Sequence, residues 1–313
     1  MKSLRSARSA LSISVAAALL AGCGGGQRAA NVLPASAGYG KLQAIPTHGT
    51  SGQDLLYIGL YGLARGYIYS YPQGAHRERY PNVGGWQYGE CADTSGNVYF
   101  IVGYPSGGYS INVYQHGETK PIGYTTQWGN TCSFDPTSGD LAVGPEGKVA
   151  IYRKVPGKPK VYSVPSNFTG IACTYDNRGN LFIDGHTSPS VPALAELRKG
   201  SRSFVSIELP SIKVQFNGLL AMRWDGKYLA VTTGTATIYR LAVTGTKARV
   251  AGKVQLQGLN HISSIWIQGD TIVAGGSPDR SVFIWNYPAG GIPIKTLRNV
   301  GKDTLVAVSV PGN

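Results

Sequence analysis

The side chains of this 313-residue chain that could do acid–base, metal or nucleophilic chemistry are few and widely spaced. It has 16 Asp and Glu, 5 His and 4 Cys. Six of the acids have another role. Asp93, Asp135, Asp176 and Asp225 each stand just ahead of a Gly-containing turn, where an Asp side chain bonds its own backbone. Asp140 and Asp270 belong to equivalent turns. Glu90 has no turn to serve. The His are residues 48, 76, 116, 186 and 261, and only His186 has a ligand-type neighbour at i−2 or i−4, Asp184. Two acids and one His on separate segments are not a metal cluster, so no metal site and no cofactor are expected. The His read as loop residues. No Gly-x-Ser-x-Gly elbow occurs, so no serine nucleophile of that type is expected. Gly84-Gly85 and Gly290-Gly291 precede strand-like runs rather than helices, which argues against a phosphate cradle.

Cys91, Cys132 and Cys173 lie in apolar runs that lead into the turn Asp residues. Cys132 and Cys173 stand three residues before their Asp, and Cys91 stands two before, so on an extended strand it faces the other way. The spacing is not C-x-x-C, so a redox or zinc motif is excluded. Export, argued below, permits a disulfide. One pair would leave an odd thiol, and the simpler expectation is three small buried apolar side chains.

Binding chemistry has better candidates. Aromatic and amide side chains recur together in Trp86-Gln87-Tyr88-Gly89-Glu90, Gln127-Trp128-Gly129-Asn130, Asn167-Phe168-Thr169, Gln215-Phe216-Asn217 and Leu259-Asn260-His261. Such pairs offer one apolar face and several hydrogen bonds, which suits a sugar ring or a peptide. The expected ligand-binding residues are Trp86, Tyr88, Glu90, Trp128, Asn130, Asn167, Asn217, Asn260 and His261. The alternative is structural: the aromatics pack between repeats and the Asn residues cap turns.

These residues must be held by a repeat. A polar turn with Gly, followed at once by a short apolar run, occurs at Gly52, Gly96, Gly139, Gly179, Gly226 and Gly269, with spacings of 44, 43, 40, 47 and 43. A second set of Gly turns falls at Gly74, Gly117, Gly157, Gly200, Gly245 and Gly290, spaced 43, 40, 43, 45 and 45. An aromatic precedes most of them. Two turns per unit make two hairpins, so each unit holds four strands, A to D. Val191–Arg198 is helix-like in composition but sits where the repeat needs a strand. The fold class is therefore all-β, a six-bladed β-propeller of four-stranded blades. The first unit lacks a strand A. The period-2 run Thr304–Val310 supplies it and closes the ring. The candidate binding segments then fall at the D–A junctions, around one mouth of the channel, and Glu90 lies on an inner strand A.

Asp93-Thr94-Ser95-Gly96-Asn97 and Asp176-Asn177-Arg178-Gly179-Asn180 match the phrase D-x-x-G-N followed by two hydrophobic residues. In this, the chain resembles the six-bladed propellers of the NHL-repeat and gluconolactonase-like group over residues 52–310. The resemblance implies a fold first. Its lactonase members hold a divalent metal in the central channel with Glu, Asn and Asp, and here Glu90 is the one inner-strand acid without a turn role.

The N-terminus points to the envelope. Lys2, Arg5 and Arg8 precede the apolar run Leu11–Leu20, which is too short to span a bilayer as a mature helix. Leu20-Ala21-Gly22-Cys23 resembles the lipobox of bacterial lipoproteins at all four positions. The resemblance implies cleavage before Cys23 and lipidation of that Cys, with an outer-membrane destination favoured by Gly24 in a cell that has one. The expected organisation is a signal peptide over 1–22, a lipid-anchored Gly-, Ala- and Ser-rich tether over 23–50 and the propeller over 51–313. Loss of Lys2, Arg5 and Arg8 takes the formal charge from +13 to +10. Many remaining bases fall on C–D hairpins: Arg77, Arg79, Arg153, Lys154, Lys158, Lys160, Arg198, Lys199, Arg202, Arg240, Lys247, Arg249 and Lys253. They are expected to form a rim opposite the mouth, as ordinary solvated surface or against anionic lipid headgroups or wall polymer.

The expected function is non-enzymatic: a lipid-anchored, extracytoplasmic propeller that binds or scaffolds an unknown protein, peptide or glycan, with no nucleic-acid partner. The alternatives are a metal-dependent hydrolase or lactonase of the gluconolactonase-like type, and an envelope-assembly factor. The anchor is testable alone. Cys23→Ser should move the protein from the membrane to the soluble fraction in detergent partitioning, and a variant that stays with the membrane would refute the lipobox reading.

Overall fold

A run of five to eight apolar residues that buries both faces of a strand needs a packed neighbour on each side. Gly turns between such runs allow the chain to fold back at once. The computed structural model describes residues 52–80, 84–126, 129–144, 147–187, 191–212, 221–276 and 280–312. They form 24 strands in six four-stranded sheets, all antiparallel.

Blade one is β24 (Thr304–Ser309), β1 (Leu55–Leu60), β2 (Leu63–Ser70) and β3 (His76–Tyr80), from the axis outward. Blade two is β4 (Trp86–Ala92), β5 (Val98–Gly103), β6 (Tyr109–Tyr114) and β7 (Ile122–Thr126). Blade three is β8 (Thr131–Phe134), β9 (Leu141–Gly144), β10 (Lys148–Tyr152) and β11 (Lys160–Ser163). Blade four is β12 (Phe168–Tyr175), β13 (Leu181–Thr187), β14 (Val191–Leu197) and β15 (Val205–Ile207). Blade five is β16 (Met222–Trp224), β17 (Leu229–Thr232), β18 (Thr237–Thr244) and β19 (Lys247–Gln255). Blade six is β20 (Ser264–Gln268), β21 (Thr271–Gly275), β22 (Val282–Asn286) and β23 (Lys295–Leu297). The inner strands β24, β4, β8, β12, β16 and β20 contact one another in that cyclic order. The fold is a closed six-bladed β-propeller, and Val191–Leu197 is strand, as the repeat requires.

The core lies between blades. Leu55 and Tyr57 of β1 pack with Val98, Phe100 and Tyr114 of blade two. Leu56 and Ile58 of the same strand pack with Val273, Val282 and Ile284 of blade six. Alternate residues of one strand thus serve opposite neighbours. Closure follows the sequence expectation. β24 pairs antiparallel with β1 from Leu55↔Ser309 to Leu60↔Thr304. The end of β24 is locked to blade two by Ser309 Oγ, which donates to the Gly96 carbonyl and meets His116 Nδ1 at 2.6 Å.

The D-x-x-G-N phrase has a physical basis. Asp93 Oδ1 accepts the Ser95 and Asn97 N–H groups at 2.9 Å, and its Oδ2 accepts Asn97 Nδ2 at 2.8 Å. Asp176 repeats this with Arg178 and Asn180 at 2.9, 2.9 and 2.8 Å. The Gly between sits at φ +83° or +81°, a conformation that favours Gly.

Two expectations are corrected. Trp86, Tyr88 and Phe168 belong to inner strands β4 and β12, not to the D–A junctions. The cysteines are not three free thiols: Cys91 and Cys132 form a disulfide, and Cys173 is free and buried. The opposite phase of Cys91 is what lets the pair meet. The neighbouring strands β4 and β8 hold the two Cα atoms 5.6 Å apart, and the opposed directions of the side chains let the sulfurs bond. Closing that 41-residue span is worth about 4 kcal/mol through unfolded-chain entropy.

Two tests follow from closure and the disulfide. A Cys23→Ser chain should show one thiol after denaturation without reductant, and three would exclude the disulfide. Deleting residues 303–313 should abolish the cooperative melt and cause aggregation, whereas a truncated chain that melts like the intact one would show that closure lies elsewhere.

Candidate functional site

Each strand A starts at its D–A junction and runs towards its A–B turn. The D–A and B–C connections therefore share one face, and the A–B and C–D turns share the other. On the D–A face the channel opens into a cavity of about 660 Å3. Every blade contributes. Gly89 and Glu90 come from β4, Thr131 from β8, Ala172 from β12, Met222 and Arg223 from β16, Ser264 and Ile265 from β20, and Leu305 from β24. Tyr61, Asn130, His261 and Asp303 join them from the connections.

Of the residues expected from the sequence, Tyr88, Glu90, Asn130 and His261 line this cavity. Trp86, Asn167 and Asn260 are solvent-exposed and are not among its lining residues. Asn167 sits at φ +63° ahead of β12, as a turn residue does. Trp128 and Asn217 lie outside the described residues. Asn130 Oδ1 is sealed from solvent and accepts no hydrogen bond among the described residues.

The rim is aromatic on the side of blades one and two. Tyr61 sits half exposed in the β1–β2 connection, edge-on to Tyr88 with ring centroids 5.6 Å apart. Tyr88 meets Tyr109 at 6.2 Å. The position of Tyr61 is set by its backbone N–H, which donates to the Asp303 carbonyl at 2.9 Å.

A charged pair crosses the channel beneath the rim. Arg223 on β16 reaches across to β4, the inner strand of the opposite blade. Its Nη2 donates to the Glu90 carbonyl at 3.0 Å and lies 3.5 Å from Glu90 Oε1. Its Nε donates to the Ile265 carbonyl at 3.2 Å, and its guanidinium lies 4.5 Å from the Trp266 ring centroid. Ser264 Oγ donates to Glu90 Oε1 at 2.7 Å and accepts from the Val306 N–H at 3.2 Å. Four blades thus meet at one carboxylate. Burial pushes the Glu90 carboxyl up to about 7, against the opposing pull of Arg223 and Ser264. Burial also lowers Arg223, so desolvation outweighs the mutual attraction on both sides.

A second buried carboxylate stands behind the lining. A bulge between Gly170 and Ala172 turns the Ala172 N–H towards Asp184 Oδ1 at 2.9 Å. Asp184 is fully buried, its Oδ2 has no hydrogen-bond partner among the described residues, and burial pushes it up to about 7. His186 follows two residues on, at the open end of β13. Among the described residues, no three His, Cys, Asp or Glu side chains gather in a way that could hold a metal ion.

Sequence reasoning missed Arg223, Ser264, Asp303 and Tyr61. Arg223 had a legible signal, being a base inside a strand A run two residues before a turn Asp. The other three had none.

Comparison with known proteins gives the fold and nothing finer. No family model matches the chain, and no curated protein matches it in sequence. Solved structures do. A chain of a nidogen/laminin complex superposes with a TM-score of 0.62 at 12% identity, over 82% of this chain and 98% of that one. A protein of unknown function from Bacteroides caccae gives 0.56 at 13% identity, over 82% and 99%. The β-propeller domain of Cps50 (Swd1) from Myceliophteria thermophila gives 0.50 at 12%, over 74% and 79%.

The two carboxyls give a signed pH dependence. Their folded values lie above the unfolded ones, 4.5 for Glu90 and 3.8 for Asp184. Their contribution to stability is fully present below those values and is lost as pH rises through about 7. Asp184→Asn should therefore raise the melting temperature more at about pH 8 than at about pH 5. An equal shift at both would show that Asp184 titrates normally.

Proposed function

We propose that the protein is a lipid-anchored, extracytoplasmic binding module whose ligand sits in the channel mouth. The observation that carries this reading is the cavity of about 660 Å3, built by all six blades and large enough for a small ligand. Its lining combines an aromatic edge, Tyr61 and Tyr88, with Asn130, His261 and Asp303 as polar groups. That mixture suits a glycan or a short peptide, which need a flat apolar contact and several hydrogen bonds. Arg223 and Glu90 form the floor and are spent on one another, so they shape the cavity more than they react in it.

The lipobox supports lipidation at Cys23 and a place in the cell envelope, and the repeat phrase supports kinship with NHL-repeat propellers. The lactonase alternative finds less support. It needs several oxygen ligands aimed at one point, and the inner-strand acid available, Glu90, is held by Ser264 and Arg223.

The test is a glycan and peptide array probed with the Cys23→Ser chain. Affinity for any hit should fall roughly tenfold on Tyr88→Ala, the loss expected for one aromatic contact, and should also fall on Asn130→Ala. Hits indifferent to both changes would remove the site from the mouth. Lactone turnover that depends on an added divalent metal would remove the non-enzymatic reading.

A further inference from the structure

The turn face of blades three to five carries a cluster of exposed bases, and the way the turns are built leaves it unneutralised. On the turn face of blades three to five, Arg153, Lys154, Lys158, Arg178, Arg202 and Arg249 are exposed. None of the six has an ion pair among the described residues. Three acids of the same turns, Asp135, Asp176 and Asp225, are held inward by hydrogen bonds. Asp135 accepts from Thr137 N, Thr137 Oγ1 and Ser138 Oγ at 2.8, 2.7 and 2.8 Å. Asp176 holds its turn backbone. Asp225 accepts from Arg240 Nε at 2.6 Å and the Tyr287 hydroxyl at 2.7 Å. The hydrogen bonds that shape these turns keep negative charge below the surface and leave the bases outside.

The chain also enters the propeller on this face. β1 starts at its A–B end, and the residues just before it bind a C–D turn. Asp54 O accepts from Tyr71 N at 2.8 Å, and Gln53 Nε2 donates to Gln73 Oε1 at 3.1 Å. A chain anchored through Cys23 would therefore lead into the face that carries the bases, with the channel mouth on the far side.

From these two observations we infer that the turn face of blades three to five docks on an anionic phospholipid bilayer and turns the mouth away from it. The choice of a bilayer over another polyanion rests on the lipid-anchor reading above. Each base at an anionic lipid surface adds roughly fivefold in affinity, and the attraction decays within about 8 Å at physiological salt. Docking is thus short-ranged and additive, which suits a flat arc of side chains.

The experiment uses the full chain with Cys23→Ser, so that the anchor cannot hold it. Binding is measured by co-sedimentation with vesicles of phosphatidylglycerol and phosphatidylcholine in equal parts, and with phosphatidylcholine alone. Binding to the anionic vesicles only, weakening as salt rises, is expected. Reversal of Arg153, Lys158, Arg178, Arg202 and Arg249 to Glu should weaken it at least about a hundredfold. The melting temperature of that variant serves as the folding control. Should it not fold, Arg153→Gln with Lys158→Gln and Arg202→Gln should still weaken binding at least about tenfold. No binding at low salt, equal binding to neutral vesicles, or indifference to the substitutions would overturn the inference. So would tighter binding to duplex DNA or to wall fragments than to the anionic vesicles, which would mark a general polyanion surface. Failure here leaves the anchor standing, because the anchor is read from detergent partitioning of Cys23→Ser against the unsubstituted protein, where no anionic bilayer is present to dock on.

Discussion

The second strand of each blade (β1, β5, β9, β13, β17 and β21) is buried on both faces along nearly all its length, so no blade is fully packed without a neighbour on each side. That constraint governs the structure. β1 shows it directly: Leu55 and Tyr57 fill one interface while Leu56 and Ile58 fill the other. An open array would expose such a surface at each end, together with unpaired backbone groups. The pairing of β24 with β1 removes both ends at once. The disulfide between Cys91 and Cys132 adds a covalent link between two inner strands in the same ring.

Closure creates the cavity, and closure also explains its unusual floor. Six strands around an axis leave a channel that water or side chains must fill. Here one Arg spans it, tied to carbonyls of blades two and six as well as to Glu90. Such a buried pair adds little net stability compared with apolar packing. What it does is fix geometry, because Glu90, Ser264 and Val306 bring three more blades to the same point. The rim residues above that floor, Tyr61, Tyr88 and Asn130, are then presented at set distances by a rigid base.

The fold was legible because its signals are local. Asp93 and Asp176 read as turns from five consecutive residues, and the spacing of such turns gave blade number and strand order. The missing strand A of blade one was legible too, since Thr304–Val310 had the right period and no other role. The site was legible only in part. Tyr88, Glu90, Asn130 and His261 were found because they stand near strand starts, where the channel opens. Trp86 was selected by the same pattern and has the parity of Tyr88 and Glu90, but a β-bulge between Gln87 and Gly89 shifts the alternation and leaves it on the face opposite to Glu90. Ser264 and Asp303 carry ordinary identities and become site residues only through the curvature of the ring. The disulfide needed knowledge of which strands are neighbours, together with the opposite phase of Cys91 and Cys132.

The pairing of β1 with β24 has a consequence for the order in which the protein can fold. β1 is the first of the described strands to be synthesised, and β24 is the last. Leu55 and Ser309 are 254 positions apart, whereas the β1–β2 hairpin joins residues 3 to 15 positions apart. Blades two to six can each assemble as their own residues appear. Blade one has to wait: β1 pairs with β2 at once, but its other edge lacks a partner until the chain is nearly finished. Closing so long a loop costs only about 1.5 kcal/mol more than closing one of 41 residues, since the entropy grows with the logarithm of length. The burden is therefore one of time rather than stability: throughout synthesis β1 is an unsatisfied edge, and it is the segment most in need of protection from other chains.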